Sequence, residues 1–249
     1  MTSSQNNPIL WTEKLSSYYE DYLVFSDVNI SIFQGEVVSL LGRSGVGKST
    51  LFNILAGIFP ADSGKVYLRD KDITGETNHM AYMLQNDLLL DHLTIIDNVA
   101  LPLRIKGLTK SKSREEATKH FKDFSLEGSQ GLYPSQLSGG MRQRAALLRT
   151  YMFSNEVALL DEPFSALDTI TKGNIHSWFL DVSKKIDLTT LFITHDIDEA
   201  IKLSNRVYIM GGSPATIVKE VRINSNVDDF LFSKEFLEYK KEITRAIDG

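Results

Sequence analysis

Nine residues limit this chain more than any other feature of it. Gly42-Arg43-Ser44-Gly45-Val46-Gly47-Lys48-Ser49-Thr50 matches the pattern G-x-x-x-x-G-K-[ST]. A loop of that composition belongs between a buried strand and the start of a helix. Its glycines let the backbone curl so that successive N–H groups point inward, and the helix adds the positive end of its dipole. Both flanks are present. Val37-Val38-Ser39-Leu40-Leu41 is a short apolar run of the kind buried on both faces of a parallel sheet, and Ser49–Ala56 reads as a helix closed by Gly57. In such a cradle Lys48 reaches the β- and γ-phosphates of a nucleotide, and the Ser49 hydroxyl ligates Mg²⁺. The alternative is a glycine turn that merely precedes a helix; the flanking elements and the rarity of a chance match disfavour it.

The rest of the chain alternates strand and helix texture. Val28–Ile32 places every second side chain apolar, with a turn at Gln34-Gly35-Glu36. Val66–Leu68 and Met80–Leu84 are further strand candidates, as are Val157–Leu160 and Thr190–Thr194, with helices expected near Thr171–Lys185 and Asp196–Leu203. Between them the texture becomes helical: Ile95, Ile96, Val99 and Leu103 keep helical spacing, as do Ala117, Phe121 and Phe124, and Ser138–Phe153 is a third helical stretch. This predicts one domain over 1–249, made of an α/β core from 1–87 and 152–249 with a helical insertion at 88–151. Most aromatic and leucine positions in these helices are core by this reading.

Two carboxylates follow a buried strand: Val157-Ala158-Leu159-Leu160 runs into Asp161-Glu162. Such a strand delivers an acid to the sheet edge beside Mg²⁺. Asp161 then holds the metal through water, while Glu162 orients and deprotonates the attacking water. His195 closes Leu191-Phe192-Ile193-Thr194, whose end falls at the same edge, and is expected to contact the γ-phosphate. His79, His92, His120 and His176 have no comparable placement and receive no role.

Leu137-Ser138-Gly139-Gly140-Met141-Arg142-Gln143-Arg144 resembles the LSGGQ signature of ATP-binding cassette (ABC) ATPases, with Met141 in the place of the usual glutamine. The match continues in the family's order along nearly the whole chain. Gln85 stands where a glutamine senses the γ-phosphate and Mg²⁺. Ser165-Ala166-Leu167-Asp168 is similar to the loop that contacts the opposite chain, and His195 stands at the switch histidine. Tyr19 falls where an aromatic ring stacks on adenine, with Tyr18 and Tyr22 near enough to remain alternatives. The resemblance implies a P-loop NTPase (RecA-like) core with a mainly parallel sheet, an N-terminal antiparallel β-subdomain and an inserted all-helical subdomain. It implies ATP and Mg²⁺ as cofactors, with Ser49, Gln85 and Asp161 at the metal and Lys48, Gln85, Glu162 and His195 in catalysis. It also implies two chains stacked head to tail, so that Ser138, Gly139 and Gly140 of each, with Asp168, complete the other's site.

Composition narrows the use of such a motor. The chain of 249 residues is 42% hydrophobic and 24% charged, with net charge −5, which sits poorly with a grip on nucleic acid. It contains no cysteine, hence no disulfide and no thiolate metal site. Met1–Pro8 is polar and lacks the features of a signal peptide, and no apolar run approaches the roughly 18 residues of a membrane helix. With no membrane span of its own, the chain is expected to be cytoplasmic; the resemblance further implies a place on the cytoplasmic face of the cell membrane, recruited by separate multispanning permease subunits that work with an external solute-binding protein.

Asp161-Glu162-Pro163-Phe164 resembles the importer form of the family. The segments Leu84–Leu90 and Thr94–Leu103 resemble the nitrate/sulfonate/taurine importer group, which also includes transporters of thiamine-pyrimidine precursors. Leu88-Leu89-Leu90 with Leu93 reads either as insertion core or as part of a groove for a permease helix, and Asp87 and Asp91 as charges beside it. The alternatives are an exporter ATPase, or a non-transport relative of the DNA-repair or translation type. Repair relatives carry a long coiled coil and translation factors two cassettes, and this sequence shows neither. Asn224–Gly249 is expected to form one or two amphipathic helices on the body, too short for an added regulatory domain.

Overall fold

A computed structural model of the chain describes residues 7–154, 156–224 and 230–248. The phosphate-loop strand lies inside one eleven-stranded sheet. The strands are β1 (Leu10–Tyr19), β2 (Tyr22–Val28), β3 (Ser31–Ile32), β4 (Val37–Gly42), β5 (Ser63–Leu68), β6 (Lys71–Asp72), β7 (Ala81–Met83), β8 (Ala158–Asp161), β9 (Thr190–Ile193), β10 (Arg206–Gly212) and β11 (Ala215–Arg222). The helices are α1 (Lys48–Leu55), α2 (Ile95–Ile105), α3 (Lys110–Thr118), α4 (Gly139–Phe153), α5 (Thr169–Lys185), α6 (Ile197–Leu203) and α7 (Lys234–Asp248).

Strand order is β6-β5-β1-β2-β11-β10-β4-β9-β8-β7, with β3 paired to β1. The run from β10 to β7 is parallel, and β4 is buried at all six positions, as its unbroken apolar sequence requires. The N-terminal strands β1, β2, β3, β5 and β6 pair antiparallel. Helices α2, α3 and α4 fall between β7 and β8 in the chain. This is a RecA-like P-loop NTPase core with an inserted helical subdomain. The insertion packs through Ile95, Val99, Phe121, Phe124 and Leu148 into a core shared with Leu160, Phe179 and Phe192 of the sheet and α5. Across the sheet, α1 packs Leu51, Phe52 and Leu55 against Phe25, Leu40 and Leu159.

Several expected elements differ in extent. Val28–Ile32 is not one strand: β2 ends at Val28 and β3 spans only Ser31–Ile32. Between them Asn29 uses its side chain as a second backbone, accepting from Lys14 N–H at 2.9 Å and donating to Asp27 O at 2.8 Å. Phe121 and Phe124 are fully buried yet lie beyond α3, which ends at Thr118, in consecutive turns bonded Phe121 N–H to Thr118 O and Leu126 N–H to Phe121 O. Spacing there reported burial and not helix. The strands β10 and β11 were not anticipated, although Val207, Tyr208, Ile209 and Met210 are all buried. Of the Asn224–Gly249 stretch, the described part holds a 3₁₀ turn at Phe230–Phe232 and α7, which buries Phe236 and Ile243; residues 225–229 and 249 lie outside the described residues, as does most of the Met1–Pro8 segment.

A buried acid anchors the insertion. Asp97 of α2 is 6% exposed and receives Arg114 of α3 through Nε at 2.8 Å and an Nη at 2.6 Å. Arg114 holds the Asp97 carboxyl below its ordinary range, outweighing the opposing effect of burial. A carboxylate whose folded pKa is lowered stabilises the fold fully above its unfolded pKa, near 3.9, and loses that contribution as pH falls through the lower folded value. Arg114 is half-exposed and partly screened, so Asp97→Asn is expected to cost about 1–2 kcal/mol at neutral pH. Urea unfolding checks this: the gap from wild type should shrink as pH falls below the unfolded value and on through the lower folded one.

Candidate active site

β4, β9 and β8 are adjacent and parallel, so the loops after Gly42, Ile193 and Asp161 open at one edge of the sheet. Ligands of open α/β sheets bind beyond the carboxyl ends of their strands. The phosphate loop fits this edge only with glycine at two of its positions. A Cβ on Gly42 would stand 2.5 Å from the backbone oxygen of Met210, and Gly47 has φ +108° with a Cβ position 2.8 Å from Val24. Lys48 opens α1, is 8% exposed, and folds back over the loop: Nζ donates to Gly42 O at 2.8 Å and to Arg43 O at 3.0 Å. Burial lowers its pKa, against the opposing pull of Glu162 and Asp161. Arg43, Ser44, Gly45 and Ser49 are exposed along the loop, and Val46 and Thr50 half-buried.

Asp161 ends β8 half-buried, and burial raises its pKa, with Glu162 adding to the effect. The hydroxyls of Ser49 and Tyr82 stand close enough to its carboxylate to favour the charged form and oppose that rise. Glu162 has φ +46°, a left-handed backbone that a non-glycine residue adopts at a cost and that recurs at functional sites. Its N–H donates to Ile193 O at 3.0 Å, and Ser165 Oγ donates to its carbonyl at 3.0 Å. Both carboxylate oxygens are engaged. Gln85 Nε2 donates to Oε2 at 3.0 Å, and His195 Nδ1 lies 3.3 Å from Oε1. Three residues far apart in sequence thus meet at one carboxylate.

The other expected residues lie elsewhere. Ser138 caps α4, its Oγ accepting from Met141 N–H at 3.3 Å. A Cβ on Gly139 or Gly140 would stand 3.3 Å from Leu167 or Thr171, so this segment packs beside the turn of Asp168, whose carboxylate accepts from Thr171 N–H at 3.1 Å. Tyr19 sits opposite Tyr22 at the end of the β1–β2 hairpin, and Tyr18, Tyr19 and Tyr22 are all exposed there. No single tyrosine is selected by the fold.

Sequence reasoning missed Tyr82, which reaches Asp161 from β7 three residues before Gln85. The signal available was its place in the strand that delivers Gln85. It also read Asp87 as a charge beside a docking groove. Asp87 also accepts from Arg142 at 2.9 and 3.3 Å, while its carbonyl accepts from Arg149 at 2.5 Å. The bonds from Arg142 and from Leu89 N–H outweigh burial and hold its pKa below the ordinary range. Asp87 ties the segment after β7 to α4, and Gln143 of α4 donates to Pro163 O, one residue after Glu162.

Among the described residues no three His, Cys, Asp or Glu side chains form a metal cluster. The donors at the edge are the Ser49 hydroxyl, the Asp161 carboxylate and the Gln85 amide. Few, hard and carrying one negative charge, they fit Mg²⁺ that takes its remaining ligands from phosphate oxygens and water.

Comparison with known proteins agrees with this geometry. The model of the ABC transporter family matches residues 25–165, more than half of the chain. The formylaminopyrimidine import ATP-binding protein ThiZ of Halalkalibacterium halodurans is 38% identical over 94% of this chain and 92% of its own length. The sulfate/thiosulfate import ATP-binding protein CysA of Synechococcus elongatus is 36% identical over 82% of this chain, which spans 62% of that protein. Among solved structures, the dimeric structure of MJ0796, a bacterial ABC transporter cassette, superposes with a TM-score of 0.71 at 27% identity, covering 86% of this chain and 99% of that one. The phosphate loop, the acids that face it and the length of these matches lead to one conclusion: the chain belongs to the ABC transporter family, as an ATP-binding subunit that hydrolyses ATP.

Proposed function

We propose that this chain is the ATPase of an importer, and that Glu162 is its general base. The observation that carries the catalytic part is the convergence of Gln85 and His195 on the two oxygens of Glu162. Bound ATP lies with its phosphates on Gly42–Thr50 and Lys48, and Tyr19 or a neighbouring tyrosine stacks on adenine. Ser49, Asp161 and Gln85 would hold Mg²⁺, which would supply positive charge against that developing on the phosphates. Glu162 takes a proton from the attacking water as oxygen bonds to the γ-phosphorus and the bond to ADP breaks. His195 steadies the γ-phosphate from the opposite side of Glu162.

Ser138, Gly139 and Gly140 pack on the Asp168 turn of their own chain and present a helix N-terminus, suited to an anion. We assign that surface to the nucleotide of a second copy, an arrangement the dimeric relative supports. Within each copy, 1–87 with 152–249 and the insertion at 88–151 are the two parts that shift against each other as ATP closes the pair.

The import role rests on the relatives. The relatives are named for importing formylaminopyrimidine and sulfate or thiosulfate, two different chemistries; we place this chain in the nitrate/sulfonate/taurine group, with a thiamine-pyrimidine precursor the cargo we favour. Among the described residues no helix is long and apolar enough to cross a membrane. The Leu88–Leu90 cluster divides between its two readings: Leu89 is buried, while Leu88 and Leu90 are exposed. Leu88 with Leu84 and Ile58 lines a cavity of about 300 Å³ between the β7 end and the insertion, which we assign to a helix of a permease. Pull-down from detergent-solubilised membranes tests the role. The wild type should retrieve a multispanning protein, Leu88→Asp should lose it while still binding ATP, and retrieval of none by the wild type would favour a non-transport ATPase.

A further inference from the structure

Beneath Glu162 and His195 lies a second cluster, this one fully enclosed. His176 of α5 is 7% exposed, Glu199 of α6 4%, and Thr194, just past β9, 2%. His176 Nε2 lies 2.9 Å from Glu199 Oε1, and Thr194 Oγ1 donates to Glu199 Oε2. The same hydroxyl accepts from Asp196 N–H at 3.1 Å, and Asp196 Oδ1 accepts from Glu199 N–H at 3.1 Å. One buried carboxylate therefore governs the backbone on both sides of His195. At its other end the cluster meets the Glu162 loop: the His176 ring stands edge-on to Phe164, centroids 5.1 Å apart at 71°, and Phe164 is two residues past Glu162 and fully buried.

Burying a carboxylate and an imidazole carries a desolvation cost that apolar residues of the same volume would avoid, and every polar atom must then be satisfied in one geometry. What such a network supplies is a fixed arrangement. His195 needs one, because its side chain is 59% exposed and has little packing to orient it. We propose that His176, Glu199 and Thr194 form a positioning network that sets His195 against Glu162, with His176 carrying the setting to the Glu162 loop through Phe164. The inference rests on the reading that Glu162 and His195 act at the γ-phosphate.

The test uses the full chain, with Mg²⁺-dependent ATP turnover and equilibrium ATP binding measured for His176→Leu, His176→Gln and Thr194→Val, each with His195 intact and with His195→Ala. A misplacement of about 1 Å at a reacting centre costs up to about 100-fold, so a loosened His195 should lower kcat about tenfold in His176→Leu and Thr194→Val, with ATP affinity within about twofold of wild type. Glutamine carries a donor nitrogen where histidine carries Nε2, so His176→Gln should restore most of the lost rate. In the His195→Ala background the same substitutions should add less than about twofold, because groups that act as a unit are not additive. Thr194→Val keeps the side-chain shape, so the test survives even if His176→Leu fails to fold. Undiminished kcat in His176→Leu or Thr194→Val, equal losses from leucine and glutamine, or full additional losses without His195 would overturn the network. Wild-type turnover in His195→Ala alone would instead overturn the role given to His195, which separates the two failures.

Discussion

Glu162→Gln should bind ATP as tightly as wild type and hydrolyse it about 10²–10⁴ times more slowly, the usual share of a positioned general base. The substitution changes little but charge and basicity. Gln85 and His195 keep a side chain of the same length between them, and the φ of +46° at this position is as accessible to glutamine as to glutamate. With hydrolysis stalled and nucleotide held, the proposed pair of copies should stay closed, so size exclusion in ATP and Mg²⁺ should show a dimer that the wild type forms only transiently. Normal turnover in this variant would falsify the assignment of the base. Normal ATP binding with no dimer would leave the base in place and remove the shared-site arrangement.

Lys48→Ala should act earlier, on binding itself. Lys48 is the cation that the fold buries beside the phosphate loop, held by two loop carbonyls and drawn towards Asp161 and Glu162. Charge-assisted hydrogen bonds contribute about 1.5–3 kcal/mol each, so losing its contact to the phosphates should raise the ATP dissociation constant about 10- to 100-fold. Fluorescent-nucleotide titration reads this directly. Unchanged affinity in the alanine variant would mean that the backbone N–H groups and the helix dipole suffice.

Much of this site was legible in the sequence because its parts are local patterns. A glycine-rich run between an apolar strand and a helix, or four apolar residues and then two acids, specifies backbone shape and edge position within a dozen residues. What was not legible depends on contacts between distant segments. Tyr82 looks like any aromatic strand residue until β7 pairs with β8 and brings it to Asp161. His176 falls on a helix with no motif around it, and its burial against Glu199 exists only once α5 and α6 meet over the sheet. Phe121 and Phe124 misled in the other direction, since a spacing of three residues satisfies a turn-rich core as well as a helix.

The pairing of Asp87 with Arg142 carries a thermodynamic consequence. Asp87 stands two residues from Gln85, a span of at most about 7 Å of extended chain, and Arg142 stands two residues from Gly140. The Gln85 amide, which donates to Glu162, and the helix that carries Ser138–Gly140 at its start are therefore joined by one stiff bracket. Whatever free energy an occupied site gains by favouring one tilt of α4, that tilt must return to the site as tighter binding, by the same factor. A membrane protein that braces α4 from outside would thereby alter nucleotide affinity without touching the nucleotide, and ATP would alter the grip on that protein to an equal degree.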